Sequence, residues 1–348
     1  MSALVSISNP LESSDGNAAT HQIHTMPVVV ISPHNLCNCR CVMCDIWRIR
    51  ESQEITPEDL GRQLASFREL GVRWVVFTGG EPQLNDQLSS LALALRAEGI
   101  RVTILTAGLL LEPHAETIAA TIDDVIVSLD GPPAVHNHIR RVPKAFERLA
   151  AGVTALRQIR PEIAVRGRCT VQKANHNSLL AVAQSAKDIG LNSISFLAAD
   201  LTSAAFNRPQ GWLHDRQDQV ALTVDQIETL EAELERLIAE HSVDLDSGFV
   251  VESPSKLRRL ALHFRAHLGL AQHIAPRCNA PWVSAVIEAS GEVRPCFFHP
   301  SIGNIHHQTL HQIVNGPDAL KFRAHLNVAT NAICQRCVCS LHLPRHKA

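Results

Sequence analysis

Between residues 28 and 199, short apolar runs alternate with longer amphipathic stretches. The runs cover 28–32, 73–78, 101–106, 124–129, 164–171 and 193–197, and are rich in Val and Ile. Runs of this length, bounded by turn residues, predict strands buried on both faces. The intervening segments predict helices. Thr56-Pro57-Glu58-Asp59 combines a Thr cap, Pro at the first helical position and an acidic first turn. That helix is expected to run to Leu70 and stop at Gly71, with others over 86–98, 112–121, 144–158 and 178–189. Six strands alternating with helices imply an α/β fold with a parallel sheet and right-handed crossovers. In α/β barrels the chemistry collects at the C-terminal ends of the strands.

After residue 199 the pattern changes. Residues 199–220, with Pro209 and Gly211, read as a connection, whereas 224–241 and 254–268 read as helices. Glu288-Ala289-Ser290-Gly291-Glu292 sits between two apolar segments and predicts a β-hairpin turn. The chain has 348 residues, 45% hydrophobic and 19% charged, as expected of a soluble enzyme. A net charge of −2 gives no electrostatic reason to bind nucleic acid or an anionic membrane surface. No apolar run is long enough to span a bilayer, and the polar first 25 residues read as a loose tail without the pattern of a signal peptide.

The ten cysteines change the picture most. Nine fall in two groups at opposite ends of the chain, with Cys169 alone between them. This distribution argues against a secreted disulfide scaffold and for metal binding in a reducing cytoplasm. Cys37, Cys41 and Cys44 have C-x₃-C-x₂-C spacing directly after the first strand. Three thiolates on so short a loop can hold an iron–sulfur cube and leave one iron open to a small molecule. By spacing alone a zinc loop that also uses Cys39 is the alternative. Thr78-Gly79-Gly80-Glu81-Pro82 follows the second strand, and its glycines allow a close backbone approach. Ser128-Leu129-Asp130-Gly131-Pro132 ends the fourth. Along the fifth, alternation puts Arg166, Arg168 and Thr170 on one face and Val165, Gly167, Cys169 and Val171 on the other. Two arginines on an apolar strand require an anionic partner. Near the C-terminus, Cys278-x₁₂-Gly291-x₄-Cys296 is followed by Cys334-x₂-Cys337, with Cys339 to spare. Four such thiols suit a closed second cluster or a four-cysteine zinc site.

Taken together, these motifs resemble the radical S-adenosylmethionine (SAM) superfamily with a C-terminal SPASM/twitch-type domain. The resemblance implies a partial (β/α)₆ barrel open on one side, followed by a small cysteine-rich domain. It divides the chain into a tail (1–25), a core (26–220), a helical linker (221–273) and an auxiliary domain (274–348). It implies a SAM-binding [4Fe–4S] cluster on Cys37, Cys41 and Cys44, and a second [4Fe–4S] cluster on Cys278, Cys296, Cys334 and Cys337. SAM contacts would come from the Gly79, Gly80, Glu81 and Pro82 element, Ser128, Arg168 and Leu197. Asp130 would face the substrate as the candidate catalytic residue. Expected partners are a small-molecule or peptide substrate and a reducing donor such as flavodoxin or ferredoxin, with neither nucleic acid nor membrane. The expected reaction is abstraction of a substrate hydrogen by a 5′-deoxyadenosyl radical, leading to oxidation of a small polar molecule. Peptide modification and redox-neutral epimerisation are the alternatives, the latter with Cys39, Cys169 or Cys339 returning a hydrogen atom. A non-catalytic iron–sulfur or zinc sensor is the third.

Overall fold

The computed structural model describes residues 21–344. Six parallel strands, β1 (Val28–His34), β2 (Trp74–Gly79), β3 (Arg101–Thr106), β4 (Asp124–Ser128), β5 (Ala164–Val171) and β6 (Ser193–Ala198), lie side by side in chain order. Each departs from its expected bounds by two residues at most. The sheet does not close, because β6 and β1 are separated by all the strands between them. β1 instead pairs in parallel with β7 (Ser284–Ile287), so that Val28 faces Ser284 and Ile31 faces Ile287. The antiparallel strands β8 (Glu292–Arg294) and β9 (Gly303–Asn304) complete one nine-stranded sheet, β6-β5-β4-β3-β2-β1-β7-β8-β9. The hairpin around Gly291 is therefore also an extension of the barrel sheet.

Strand alternation sorts the core into two layers. Val29, Ile31, Val75, Phe77, Val125, Val127, Val165, Cys169 and Val171 face the surrounding helices and are buried there. Val28, Val30, Trp74, Val76 and Ile126 face the concave side, where Ala280, Val283, Val286, Leu341 and Leu343 of the C-terminal region pack on them. At the floor of this side, Asp124 accepts hydrogen bonds from Arg101 Nε (2.9 Å), Thr103 Oγ1 (2.8 Å) and Arg166 Nη1 (2.7 Å). Arg166 thus has a protein carboxylate as its partner rather than a ligand.

Two helices depart from the expected pattern. The segment after Thr56 forms two short helices, Pro57–Gly61 and Leu64–Glu69. The buried Gln63 lies between them, accepts from Leu310 N at 2.7 Å and donates to Ile305 O at 3.2 Å. A helix at Pro133–Arg140 was not expected from Gly131-Pro132-Pro133, which reads as a turn. Residues 1–20 of the expected tail lie outside the described residues. Residues 21–25 are not loose: Ile23 N donates to Asn315 Oδ1 (2.7 Å) and Arg323 Nε donates to His21 O (2.7 Å). Among the described residues, no helix is long and apolar enough to cross a membrane.

Candidate active site

The cysteine loop leaves β1 at its C-terminal end and is held by three sets of contacts. On one side, Gly79 and Gly80 end β2 against it. Gly79 has φ +106°, a conformation that side chains rarely adopt, and a Cβ on Gly80 would meet Leu36 O at 2.0 Å. Glu81 N donates to that same carbonyl at 2.8 Å. The Glu81 side chain is fully buried and turned away from the loop, accepting from Thr106 Oγ1 (2.8 Å) and Ala107 N (2.9 Å). Burial raises its pKa despite these bonds. Only its backbone is left to face a ligand.

On the other side, the end of helix Pro133–Arg140 supplies carbonyls that the sequence did not reveal. Arg40 N donates to Arg140 O (3.1 Å) and Val42 N to Ile139 O (3.0 Å). The Arg140 side chain, itself buried, places Nη1 3.5 Å from Cys41 Sγ and Nη2 2.5 Å from Asp130 Oδ2. Asp130 Oδ1 accepts from Thr170 N at 2.9 Å. Asp130, expected on the substrate side, is fully buried and positions Arg140 beneath the cysteine loop. Nothing but the basic residue itself marks Arg140 in the sequence, since it belongs to no motif.

A third support comes from the connection after β6. Trp212 Nε1 donates to Asp45 Oδ2 at 2.6 Å and Asn207 Nδ2 to Asp45 O at 3.0 Å. Trp212 has the guanidinium groups of Arg208 and Arg216 over its ring, 4.3 Å and 4.4 Å from its centroid. Arg216 also donates to Val42 O. These residues turn a segment expected to be a plain connection into a cover for the loop.

The thiols on the loop are electrostatically coupled. A hydrogen bond from Cys39 and the Arg140 charge outweigh burial and draw the Cys41 thiol down to about 7. Burial and the Cys41 charge push Cys44 up to about 12. Cys39 is fully buried and bonded to both Cys37 and Cys41, which raises its pKa strongly. Among the described residues, no three side chains of Cys, His, Asp or Glu converge closely enough for a single metal ion. A zinc knuckle would require four donors around one ion, whereas an iron–sulfur cube spreads its thiolates more widely.

Ser128 and Arg168 are partners in the register between β4 and β5, and Thr170 faces Leu197 in that between β5 and β6. All four therefore lie on the concave side, opposite Cys169. This wall carries polar atoms without a protein partner: Arg168 Nε, Ser193 Oγ and Ser195 Oγ are buried and unbonded. Buried polar atoms of this kind fit a polar ligand such as SAM. Leu197 also lines a cavity of about 500 Å³ between the end of β6, helix Pro254–His267 and the C-terminal segment, and Cys337 is among its other lining residues.

The five C-terminal cysteines border one pocket. Cys278, Cys296, Cys334, Cys337 and Cys339 line one small pocket with Phe297 and Ile333. Burial raises all five thiols, Cys296 to about 12 and Cys334 to about 11. His299 Nε2 lies 3.4 Å from Cys334 Sγ. Buried thiols that resist ionisation fit a group whose own positive charge stabilises thiolates. Cys339, expected to be spare, is part of the same group. It also feels the Arg168 charge and packs in the barrel's concave cluster.

The family model of the radical SAM superfamily matches residues 31–194, and that of the SPASM iron–sulfur cluster-binding domain matches residues 278–338. The AdoMet-dependent heme synthase of Methanosarcina barkeri is 24% identical over 293 residues, covering 80% of this chain and 78% of that protein. The antilisterial bacteriocin subtilosin biosynthesis protein AlbA of Bacillus subtilis is 26% identical over 303 residues, 81% of this chain but only 58% of that protein. Streptococcus suis SuiB bound to its precursor peptide SuiA superimposes with a TM-score of 0.66 at 15% identity, covering 94% of this chain and 74% of that one. Barrel, open sheet edge, cysteine loop and the C-terminal thiols bordering one pocket lead to the same conclusion as these matches. The chain belongs to the radical SAM superfamily and carries a C-terminal SPASM domain, with a SAM-binding [4Fe–4S] cluster, a second such cluster and SAM as its cofactors.

Proposed function

We propose that this enzyme oxidises a small polar substrate by two electrons, with SAM consumed as co-substrate. One observation carries the reading. A single cavity is lined both by Leu197, on the strand expected to border SAM, and by Cys337 of the C-terminal thiol group. A substrate held there lies between the two cofactor sites. The bound cofactors supply a 5′-deoxyadenosyl radical and an electron acceptor. In this reading Cys37, Cys41 and Cys44 hold the first cluster, and four of the five C-terminal thiols, Cys278, Cys296, Cys334 and Cys337, hold the second. The backbone of residues 79–82, with Ser128, Arg168 and Leu197, orients SAM. Arg140 keeps the cysteine loop in place, and Trp212 with its flanking arginines excludes water from it. The substrate gives up one hydrogen atom, then one electron and one proton. A reducing donor such as flavodoxin or ferredoxin would prime the first cluster.

Redox-neutral epimerisation remains the second reading because of Cys339, whose thiol packs toward the concave side of the barrel. Cys169 is unsuited to such a role, being fully buried in the helix-facing core. Both readings are tested by incubating reconstituted enzyme with SAM, dithionite and a cell extract in deuterated water, followed by mass spectrometry. Oxidation yields a product lighter by two hydrogens. An isomer carrying one solvent deuterium, absent with Cys339→Ala, would establish epimerisation instead.

A further inference from the structure

We infer that the cavity between the barrel and the SPASM domain selects an organic anion, bound through Lys256, Arg259 and Arg277. The inference rests on the reading of this cavity as the substrate site and adds the class of molecule that enters it.

Helix Pro254–His267 presents a stripe to the cavity. Lys256, Arg259, His263 and Ala266 recur at three- and four-residue spacing and line one wall, while Leu257, Ala261 and Phe264 face the core. Arg277 approaches from the loop that leads into Cys278. Arg259 Nη2 donates to Ile274 O at 3.1 Å, which ties that loop to the helix. The rest of the lining mixes apolar Phe196, Leu197 and Val338 with polar Gln272, Gln335 and Ser340.

The negative charge available to Arg259 and Arg277 is small. Glu252 is the only carboxylate among the lining residues. It is already engaged, accepting from Phe196 N through Oε2 at 2.8 Å, and burial lifts its pKa to about 7. Asp200, near His263, is paired with Arg208. Burial first, and neighbouring positive charge second, lower the histidines around the cavity. Burial and the charges of neighbouring His273 and His267 draw His263 down to about 4, although Asp200 opposes this. His273 is lowered by burial and by Arg336. His263 Nε2 is buried without a protein partner and is a further polar group a ligand can satisfy. A pocket of mixed lining with guanidinium groups and too few counter-charges is complementary to a small molecule bearing carboxylate, sulfonate or phosphate oxygens. Arg259, Arg277 and His263 were not expected from the sequence to bind SAM or a cluster.

The test uses the reconstituted holoenzyme with SAM and two probes of the same shape, 8-anilinonaphthalene-1-sulfonate and uncharged N-phenyl-1-naphthylamine. Binding is measured by equilibrium dialysis, because the clusters would quench fluorescence. The anion should bind at least about tenfold more tightly than the neutral probe, a difference one well-placed charge pair can supply. In the Arg259→Gln/Arg277→Gln double variant the preference should fall below about threefold, and in the Arg259→Lys/Arg277→Lys double variant it should persist. Equal binding of the two probes to wild type overturns the inference, as does a preference that survives the Gln substitutions. Since the assay needs no turnover, such a result with intact SAM cleavage refutes the anion site alone. Absent SAM cleavage with intact anion preference refutes the proposed reaction instead.

Discussion

Replacing Arg140 with Met tests how the cysteine loop is held. Arg140 and Asp130 form a buried pair, with side-chain exposures of 8% and 0% and a separation of 2.5 Å. Removing one member strands the other's charge, which typically costs about 3–5 kcal/mol. Asp130 keeps its bond from Thr170 N, so the lower end, about 3 kcal/mol, is expected. That corresponds to roughly a hundredfold in the folding equilibrium. The assay is anaerobic pulse proteolysis across a urea series for wild type, Arg140→Met, Asp130→Asn and the double variant. The double variant should recover about 2 kcal/mol relative to the sum of the singles, because neither charge is then left alone. Iron content should also fall in Arg140→Met, since Cys41 loses its cationic neighbour. Additive single effects, or a loss below about 1 kcal/mol, would refute the role given to this pair.

Gly80→Ala should reduce SAM cleavage more than tenfold, whereas Gly61→Ala, where nothing lies within 4 Å of the added Cβ, should leave cleavage unchanged; deoxyadenosine formation reads both. The triple Cys37, Cys41, Cys44→Ala variant should keep its fold by circular dichroism, lose about half its iron and form no 5′-deoxyadenosine, in line with the two ligand sets. Arg168→Ala should weaken SAM binding in dialysis more than Arg168→Lys, which retains the charge but not the two-pronged donor. Glu252 is 3% exposed, and burial raises its pKa from 4.5 to about 7. The folded state therefore holds this proton more tightly than the unfolded chain. Its contribution is complete below about pH 4.5 and is lost as the pH rises through about 7. Wild type should lose about 3 kcal/mol across that window in urea melts, and Glu252→Gln should lack this slope.

The strands were legible because each is an apolar run closed by turn residues, a local signal. The shared face of Arg166 and Arg168 followed from period-two alternation, as did the opposite placement of Cys169. What the sequence concealed depends on partners far along the chain. Gln63 interrupts a helix because its amide reaches Leu310, 247 positions away. Arg166 finds its counter-charge in Asp124, which reads as an ordinary strand start. Helix Pro133–Arg140 begins in what looks like a turn, yet its last carbonyls carry the cysteine loop. The placement of Cys339 in one pocket with the other four thiols depends on the path of the final segment, which no spacing rule determines.

The parallel ladder between β1 and β7 also sets an order of events during synthesis. Val28–Ile31 leaves the ribosome early, but its partner Ser284–Ile287 follows 256 residues later. At about 5–20 residues per second, roughly 10–50 s pass before that edge can be covered. Until then a strand of consecutive apolar residues presents unpaired backbone to every other nascent chain. The fold thus makes its first strand wait for its last domain, and the yield of soluble protein should depend on translation rate and chaperone capacity more than on the stability of the finished barrel.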